Sequence, residues 1–292
     1  MELFVDNQYA VLIPALVPLA YLVGGLVVFA VLCAVGRRPS APQHKETEQL
    51  GTLSVYLHWM LRPAERFAVR ARVSPNAMTW GSAACACAAG AMLATGHFAL
   101  ATWSFVLAGI FDLMDGRVAR LTGRQTRSGA FLDSVLDRWG ELFVYSGLAW
   151  QLQGSWAMGA ALAALGGAFM VGYTRARGEA LGVTIAGGAM QRPERLLLTV
   201  VGLLFAAVFD ADPTLRGYVP AILGTTASIV GALSIMTAAG RLRAGYRMLD
   251  GKAPHPRAPA ETYADGAPVR QGAVARVLRI GRAAPGDRAA NG

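Results

Sequence analysis

The chain has 292 residues, of which 54% are hydrophobic and only 15% are charged. This composition is unlike that of an ordinary soluble domain and indicates a polytopic membrane protein. The formal net charge is +9, but the arginines cluster beside hydrophobic runs, which favours anionic lipid headgroups over nucleic acid as partners. Three cysteines lie within apolar runs, so neither a disulfide framework nor a zinc ligand set is expected.

The first apolar run extends from about Tyr9 to Val35 and is long enough to span a bilayer of roughly 30 Å. Glu2 and Asp6 stand where a cleaved signal peptide would carry basic residues, so we interpret the run as a retained helix. We predict a transmembrane anchor over residues 1–36. Basic residues follow it, which predicts a cytoplasmic linker over residues 37–49.

Apolar residues recur at helical spacing between Leu50 and Val73, with arginines interleaved. This pattern predicts an amphipathic helix on the membrane surface. The next helix is expected to begin immediately afterwards, with Ser74 as its N-cap and Pro75 at its first position.

Six further apolar runs predict membrane spans, which makes seven with the N-terminal anchor. Their connections alternate between basic and non-basic, and every basic loop falls on the same side of the membrane. We therefore expect a multi-pass protein of the cell membrane whose basic side faces the cytoplasm. The six spans run roughly over Ala77–Ala94, Phe98–Leu121, Gly129–Leu152, Trp156–Tyr173, Leu196–Phe209 and Tyr218–Gly240.

Four carboxylates interrupt two adjacent apolar segments. Asp112 and Asp115 are three residues apart and Asp133 and Asp137 are four apart, so each pair shares one face of a helix. A carboxylate within the membrane costs about 2.5 to 3.5 kcal/mol, and a metal cation would compensate that cost. Oxygen ligands without nearby His or Cys favour Mg²⁺, Mn²⁺ or Ca²⁺ over zinc.

Small residues and arginines surround these acids. Gly116, Ala119 and Gly129 keep one side of both helices open to a bulky phosphate or to a neighbouring helix. Carboxylates, a divalent metal and arginines together are typical of a site that handles phosphate. The arginines concerned are Arg117, Arg120, Arg124 and Arg127.

The spacing D-x-x-D-G-x-x-A-R-x8-G-x3-D-x3-D, which begins at Asp112 and ends at Asp137, resembles the signature of the CDP-alcohol phosphatidyltransferase family. The resemblance implies an all-α transmembrane bundle with a six-helix core, here with an extra N-terminal span and the amphipathic surface helix. It also implies a homodimer. We assign residues 50–247 to this domain, and the composition of residues 248–292 predicts a disordered basic tail.

The resemblance implies transfer of a phosphatidyl group from CDP-diacylglycerol to an alcohol, with release of CMP. Mg²⁺ or Mn²⁺ is the expected cofactor, and Asp137 is the expected general base. The implied metal ligands are Asp112, Asp115, Asp133 and Asp137, and the residues expected to bind the CDP-lipid are Asn76, Gly116, Ala119, Arg120 and Gly129.

Two later strings, Tyr173–Val183 and Gly187–Leu196, bring a second group of arginines to the cytoplasmic side, which suits an anionic acceptor. The strings resemble those of prokaryotic phosphatidylinositol phosphate synthases. That resemblance implies inositol 1-phosphate as acceptor, with its phosphate held by Arg175, Arg195 and Arg241.

Other functions remain open on the sequence alone. The acceptor could instead be glycerol 3-phosphate, serine or another alcohol. Intramembrane carboxylates also occur in cation-coupled transporters, but a transport pathway would need acidic residues through the remaining spans as well.

Overall fold

The computed structural model describes residues 24–25, 27–35, 51–185 and 187–250. Two compact units divide the chain at residue 246, and only residues 247–250 of the second are described. The predicted linker lies outside the described residues, as does almost all of the predicted tail. Of the predicted N-terminal anchor, residues 24–25 and 27–35 are described, and all of these except Val35 are helical.

Seven long helices and one short 3₁₀ turn, Arg216–Tyr218, make up residues 51–250, and no strand occurs among the described residues. The predicted all-α class is therefore confirmed. The helices are α1 (Gly51–Arg70), α2 (Pro75–Ala94), α3 (Phe98–Leu121), α4 (Arg127–Gln151), α5 (Trp156–Ala180), α6 (Arg192–Ala211) and α7 (Val219–Leu249).

Four of these helical segments are long and apolar enough to cross a membrane: α2, α3, α5 and the continuous stretch Arg216–Leu249 that contains α7. The protein is thus a multi-pass membrane protein. Helices α4 and α6 have similar lengths but carry charged residues within them, which lowers their hydropathy. The predicted number of seven spans stays a prediction.

Several helices extend beyond the apolar runs that predicted them. Helix α5 continues from Tyr173 to Ala180, and α7 continues from Gly240 to Leu249. Hydropathy marks only the apolar part of a helix, whereas the backbone hydrogen bonds continue into polar turns. The predicted start of α2 is confirmed, because the Ser74 side chain accepts a hydrogen bond from Ala77 N at 3.2 Å and Pro75 is the first helical residue.

Glycines allow α2 and α4 to approach each other closely. A Cβ atom at Gly147 would lie 2.8 Å from the Gly90 Cα atom, and one at Gly90 would lie 2.7 Å from the carbonyl carbon of Phe143. Leu93 and Leu148 are fully buried in the same core. This close contact fixes α4, which carries two of the four aspartates, against the bundle.

Helix α1 packs against α3 near the first aspartates. Ala68 of α1 lies in one apolar cluster with Met114 and Val118 of α3. Beside this cluster the Arg117 guanidinium is 2.7 Å from the Glu65 carboxylate, and both side chains are largely buried. The predicted amphipathic helix is thus attached to the helix that carries Asp112 and Asp115.

We predict that Gly147→Ala lowers the melting temperature of the detergent-solubilised protein. The added methyl group meets the backbone of Gly90, and overpacking of this kind costs about 1 to 3 kcal/mol. Gly159→Ala in α5 is the matched control, because no atom lies within 4 Å of its Cβ position and alanine is the better helix former. A Gly147→Ala protein as stable as the control would contradict the close contact between α2 and α4.

Candidate functional site

Three of the four predicted aspartates form one cluster. Asp112 lies in the last turns of α3, and Asp133 and Asp137 lie in the first turns of α4. One carboxylate oxygen from each lies within 4.8 Å of the other two. The turn between the helices places them together, because the Thr126 side chain caps α4 by accepting a hydrogen bond from Gly129 N at 3.0 Å.

An arginine from a distant part of the chain contacts this cluster. Arg192, the first residue of α6, forms an ion pair with Asp112 through one guanidinium nitrogen. Through its other terminal nitrogen it contacts Asp137 Oδ1 at 2.7 Å. Arg192 therefore joins α6 to both α3 and α4 at the point where the carboxylates converge.

The cluster fits a divalent metal ion. The Asp133 Oδ1 atom is buried and has no hydrogen-bond partner among the described residues, so it can serve as a ligand without loss of an existing bond. The donors of the cluster are all carboxylate oxygens, which suit hard cations such as Mg²⁺ and Mn²⁺. Asp112, Asp133 and Asp137 would hold such an ion.

The fourth aspartate, Asp115, is bound differently. Its side chain is buried, accepts a hydrogen bond from Thr79 Oγ1 of α2 at 2.7 Å, and accepts another from Gly116 N. Asp115 therefore lies beside the three-carboxylate cluster and not in it. Its bond to Thr79 connects α2 to the end of α3.

The residues predicted to bind the CDP-lipid lie around the same helix ends. A Cβ atom at Gly129 would lie 3.3 Å from Asn76 Oδ1, which places the start of α2 next to the start of α4. A Cβ atom at Gly116 would lie 3.5 Å from the Arg120 guanidinium and have no closer neighbour. Packing within the protein therefore does not require glycine at position 116.

Arg195, one of the three predicted acceptor ligands, is almost fully buried. Its Nε atom donates to Glu141 at 3.1 Å, one terminal nitrogen also donates to Glu141, and the other donates to the Met190 carbonyl at 3.1 Å. Arg138 forms a second ion pair with Glu141. Glu141 thus holds Arg195 of α6 against α4.

Arg241 of α7 is also buried and holds backbone in place. Its Nε donates to the Gly187 carbonyl at 3.0 Å, and one terminal nitrogen donates to the Val171 carbonyl at 2.9 Å. Arg175 is exposed and pairs with Glu179. Arg175 and Arg195 both act electrostatically on Arg241, so the three predicted acceptor ligands share one neighbourhood.

One cavity is lined by residues from both groups of charged residues. Asp137 and Arg192 line it together with Glu141 and Arg195, and apolar residues of α2, α3, α4 and α6 line the rest. The sequence pattern placed Arg192 only in the second group of arginines, which suits an anionic acceptor, and it did not single out Thr79. Both contacts join residues that are far apart in the chain, which is why helical spacing could not reveal them.

Comparison with known proteins agrees with this geometry. Residues 72–239 match the family model described as CDP-alcohol phosphatidyltransferase. A phosphatidylinositol phosphate synthase of Corynebacterium glutamicum is 35% identical over 153 residues, which cover 49% of this chain and 68% of that protein. One of Mycobacteroides abscessus is 33% identical over 184 residues, which cover 60% and 79%.

Solved structures show the same fold. The crystal structure of Mycobacterium tuberculosis phosphatidylinositol phosphate synthase with CDP-DAG bound matches with a TM-score of 0.55 and 27% identity, covering 63% of this chain and 92% of that one. The structure of the same enzyme in complex with manganese and citrate matches with a TM-score of 0.56 and 26% identity, covering 63% and 88%.

Glu141→Ala is expected to destabilise the protein by about 3 kcal/mol, because it leaves the buried Arg195 without its counter-ion. Glu179→Ala is the matched control, since it removes the partner of the exposed Arg175 and should cost less than about 1 kcal/mol. Thermal unfolding in detergent measures both. Equal losses of stability in the two variants would contradict the buried ion pair.

Proposed function

The chain belongs to the CDP-alcohol phosphatidyltransferase family, and we propose that it moves the phosphatidyl group of CDP-diacylglycerol to a phosphorylated alcohol, with inositol 1-phosphate as the best candidate. The observation that carries the proposal is the shared cavity, which Asp137 and Arg192 line together with Arg195. A carboxylate cluster suited to a metal thus lies beside arginines suited to an anion.

We assign the donor to the open side of the aspartate cluster. Asn76 and Gly129 are adjacent there, and the absence of a side chain at Gly116 leaves space beside Arg120. The Arg120 side chain is exposed and can pair with a phosphate oxygen. Ala119 is the remaining residue of the predicted donor site. The matched M. tuberculosis enzyme was crystallised with CDP-DAG, which supports this donor.

In the proposed reaction the acceptor hydroxyl oxygen attacks the lipid-side phosphorus of CDP-diacylglycerol. A new phosphorus–oxygen bond forms, the bond to CMP breaks, and CMP leaves. Asp137 accepts the hydroxyl proton. When bound, the divalent ion neutralises charge on the pyrophosphate and aligns it for in-line displacement. We expect Mg²⁺ to serve, with Mn²⁺ as a substitute, and we propose Asp115, which lies beside the cluster, as a fourth ligand.

The acceptor assignment rests on guanidinium donors that the protein does not use. A guanidinium group has five N–H donors, of which Arg195 uses three and Arg241 uses two in the structure. The remaining donors, together with those of Arg175, can bind a phosphate. Relatives named phosphatidylinositol phosphate synthase and one named archaetidylinositol phosphate synthase, from Methanothermobacter thermautotrophicus and 38% identical, support inositol 1-phosphate.

We further propose that the site faces the cytoplasm at the cell membrane. The arginine-rich ends of α3, α5 and α7 lie with the start of α6 around one neighbourhood, and the positive-inside tendency places such an end in the cytoplasm. A homodimer is expected from family membership, and crosslinking in native membranes would test it.

The first experiment offers four acceptors separately to the purified protein with radiolabelled CDP-diacylglycerol and Mg²⁺. These are inositol 1-phosphate, free inositol, glycerol 3-phosphate and serine. We expect lipid product with inositol 1-phosphate alone, because the arginines select a phosphate and the relatives indicate inositol. Product with a different acceptor would retain the reaction and refute the headgroup, whereas no CMP release with any acceptor would refute the reaction.

Asp137→Asn is expected to lower kcat by at least about a hundredfold, since general bases contribute about 10² to 10⁴ in rate. Asp210→Asn is the matched control, because Asp210 forms its ion pair with Arg216 near the other end of α6. Release of CMP from CDP-diacylglycerol measures both. Normal turnover in Asp137→Asn would exclude Asp137 as the base.

Gly116→Ala is expected to raise KM for CDP-diacylglycerol about tenfold without a change in melting temperature. The added methyl group makes only ordinary van der Waals contact with Arg120. Any rise in KM therefore comes from steric conflict between the methyl group and bound CDP-diacylglycerol. Gly166→Ala, at an open position of α5, is the control for folding and activity. An unchanged KM in Gly116→Ala would place the donor elsewhere.

A further inference from the structure

We infer that Arg192 is the protein's own counter-ion for the metal-binding carboxylates, and that a divalent cation must compete with it for Asp112 and Asp137. This inference deepens the proposed function, because it concerns the carboxylates assigned there to the metal. It adds that α6 sets how tightly these carboxylates bind the metal.

The geometry of Arg192 is that of a bridge. One terminal nitrogen pairs with Asp112 Oδ2 on α3 and the other with Asp137 Oδ1 on α4, the latter at 2.7 Å. A planar guanidinium group can hold two carboxylates at once, whereas an ammonium group is a single point charge. Arg192 therefore joins α3 to α4 through two of the carboxylates that would hold a metal ion.

Three other arginines of the bundle form ion pairs with glutamates. Arg138 and Arg195 form ion pairs with Glu141, and Arg117 forms one with Glu65. Among the ion pairs of the described residues, only those of Arg192 reach the aspartate cluster. Within the protein, the negative charge of this cluster is thus compensated chiefly by the Arg192 side chain.

The other two aspartates, Asp115 and Asp133, show why the positive charge of Arg192 matters. Asp115 is satisfied by hydrogen bonds from Thr79 and Gly116, but neither neutralises its charge. Asp133 has a buried oxygen with no hydrogen-bond partner. Adjacent carboxylates repel one another strongly in an apolar bundle, so the positive charge of Arg192 stabilises the packing of α3, α4 and α6.

A metal ion and Arg192 would both bring positive charge to the carboxylates of Asp112 and Asp137. Ligation of Asp112 and Asp137 weakens their ion pairs with Arg192, and those ion pairs weaken ligation by an equal free energy, because such coupling is reciprocal. Removing the guanidinium group should therefore tighten metal binding while it destabilises the protein in the presence of a chelator.

The test measures Mn²⁺ binding to the full chain in detergent by electron paramagnetic resonance of free Mn²⁺. We expect Arg192→Gln to lower Kd for Mn²⁺ about tenfold, within the range usual for coupled sites. Arg192→Lys keeps the positive charge without the bridge to two carboxylates. Its Kd for Mn²⁺ should lie between that of Arg192→Gln and that of the unsubstituted protein. Arg177→Gln is the matched control, because it removes one positive charge from an exposed position of α5 and should leave Kd unchanged.

Thermal unfolding gives a second readout. In EDTA the melting temperature of Arg192→Gln should fall by several degrees relative to Arg177→Gln, and saturating Mn²⁺ should raise it by more than it raises the unsubstituted protein. If Arg192→Gln does not fold, Arg192→Lys decides both measurements.

An unchanged or weaker Mn²⁺ affinity in both Arg192 variants would overturn the competition and leave the transferase proposal intact. No Mn²⁺ binding by the unsubstituted protein would overturn the metal site and this inference together. Tighter Mn²⁺ binding in the variants would support the competition even if the unsubstituted protein transferred no phosphatidyl group, so the two proposals fail separately.

Discussion

The placement of several carboxylates inside an apolar helical bundle is the constraint on which the rest of this structure depends. One carboxylate oxygen from each of Asp112, Asp133 and Asp137 lies within 4.8 Å of the other two, and like charges so close are unfavourable where the dielectric constant is low. Arg192 offsets part of this repulsion with two ion pairs. Because these pairs join α3, α4 and α6, the charges of the site also contribute to the packing of these three helices.

Close helix contacts hold the charged cluster in place. Gly90 and Gly147 let α2 and α4 touch through their backbones, and Thr79 binds Asp115 across the contact between α2 and α3. On the other side of α3, the Glu65–Arg117 pair attaches the amphipathic helix. Small residues and buried polar bonds thus fix the carboxylates to within a narrow range of positions, as metal ligands require.

The second group of arginines has both a structural and a proposed binding role. Arg195 donates hydrogen bonds to Glu141 and to the Met190 carbonyl, and Arg241 donates one to the Gly187 carbonyl. The same bonds orient the guanidinium groups whose remaining donors are assigned to the acceptor phosphate. Preorganised donors of this kind bind an anion without first having to be ordered. In the proposed reaction, the cavity that Arg195 and Asp137 both line would bring that anion near the reacting phosphorus.

The sequence alone determined the helical class, the membrane character, the start of α2 at Ser74 and the family, because hydropathy, capping residues and the spacing from Asp112 to Asp137 are local properties of the chain. It also predicted that the two aspartate pairs act together. Only the tertiary structure decided that Asp115 binds Thr79, that Arg192 bridges Asp112 and Asp137, and that Glu141 holds Arg195. These partners come from different helices, and which faces meet depends on how the helices pack, which spacing within one helix does not specify.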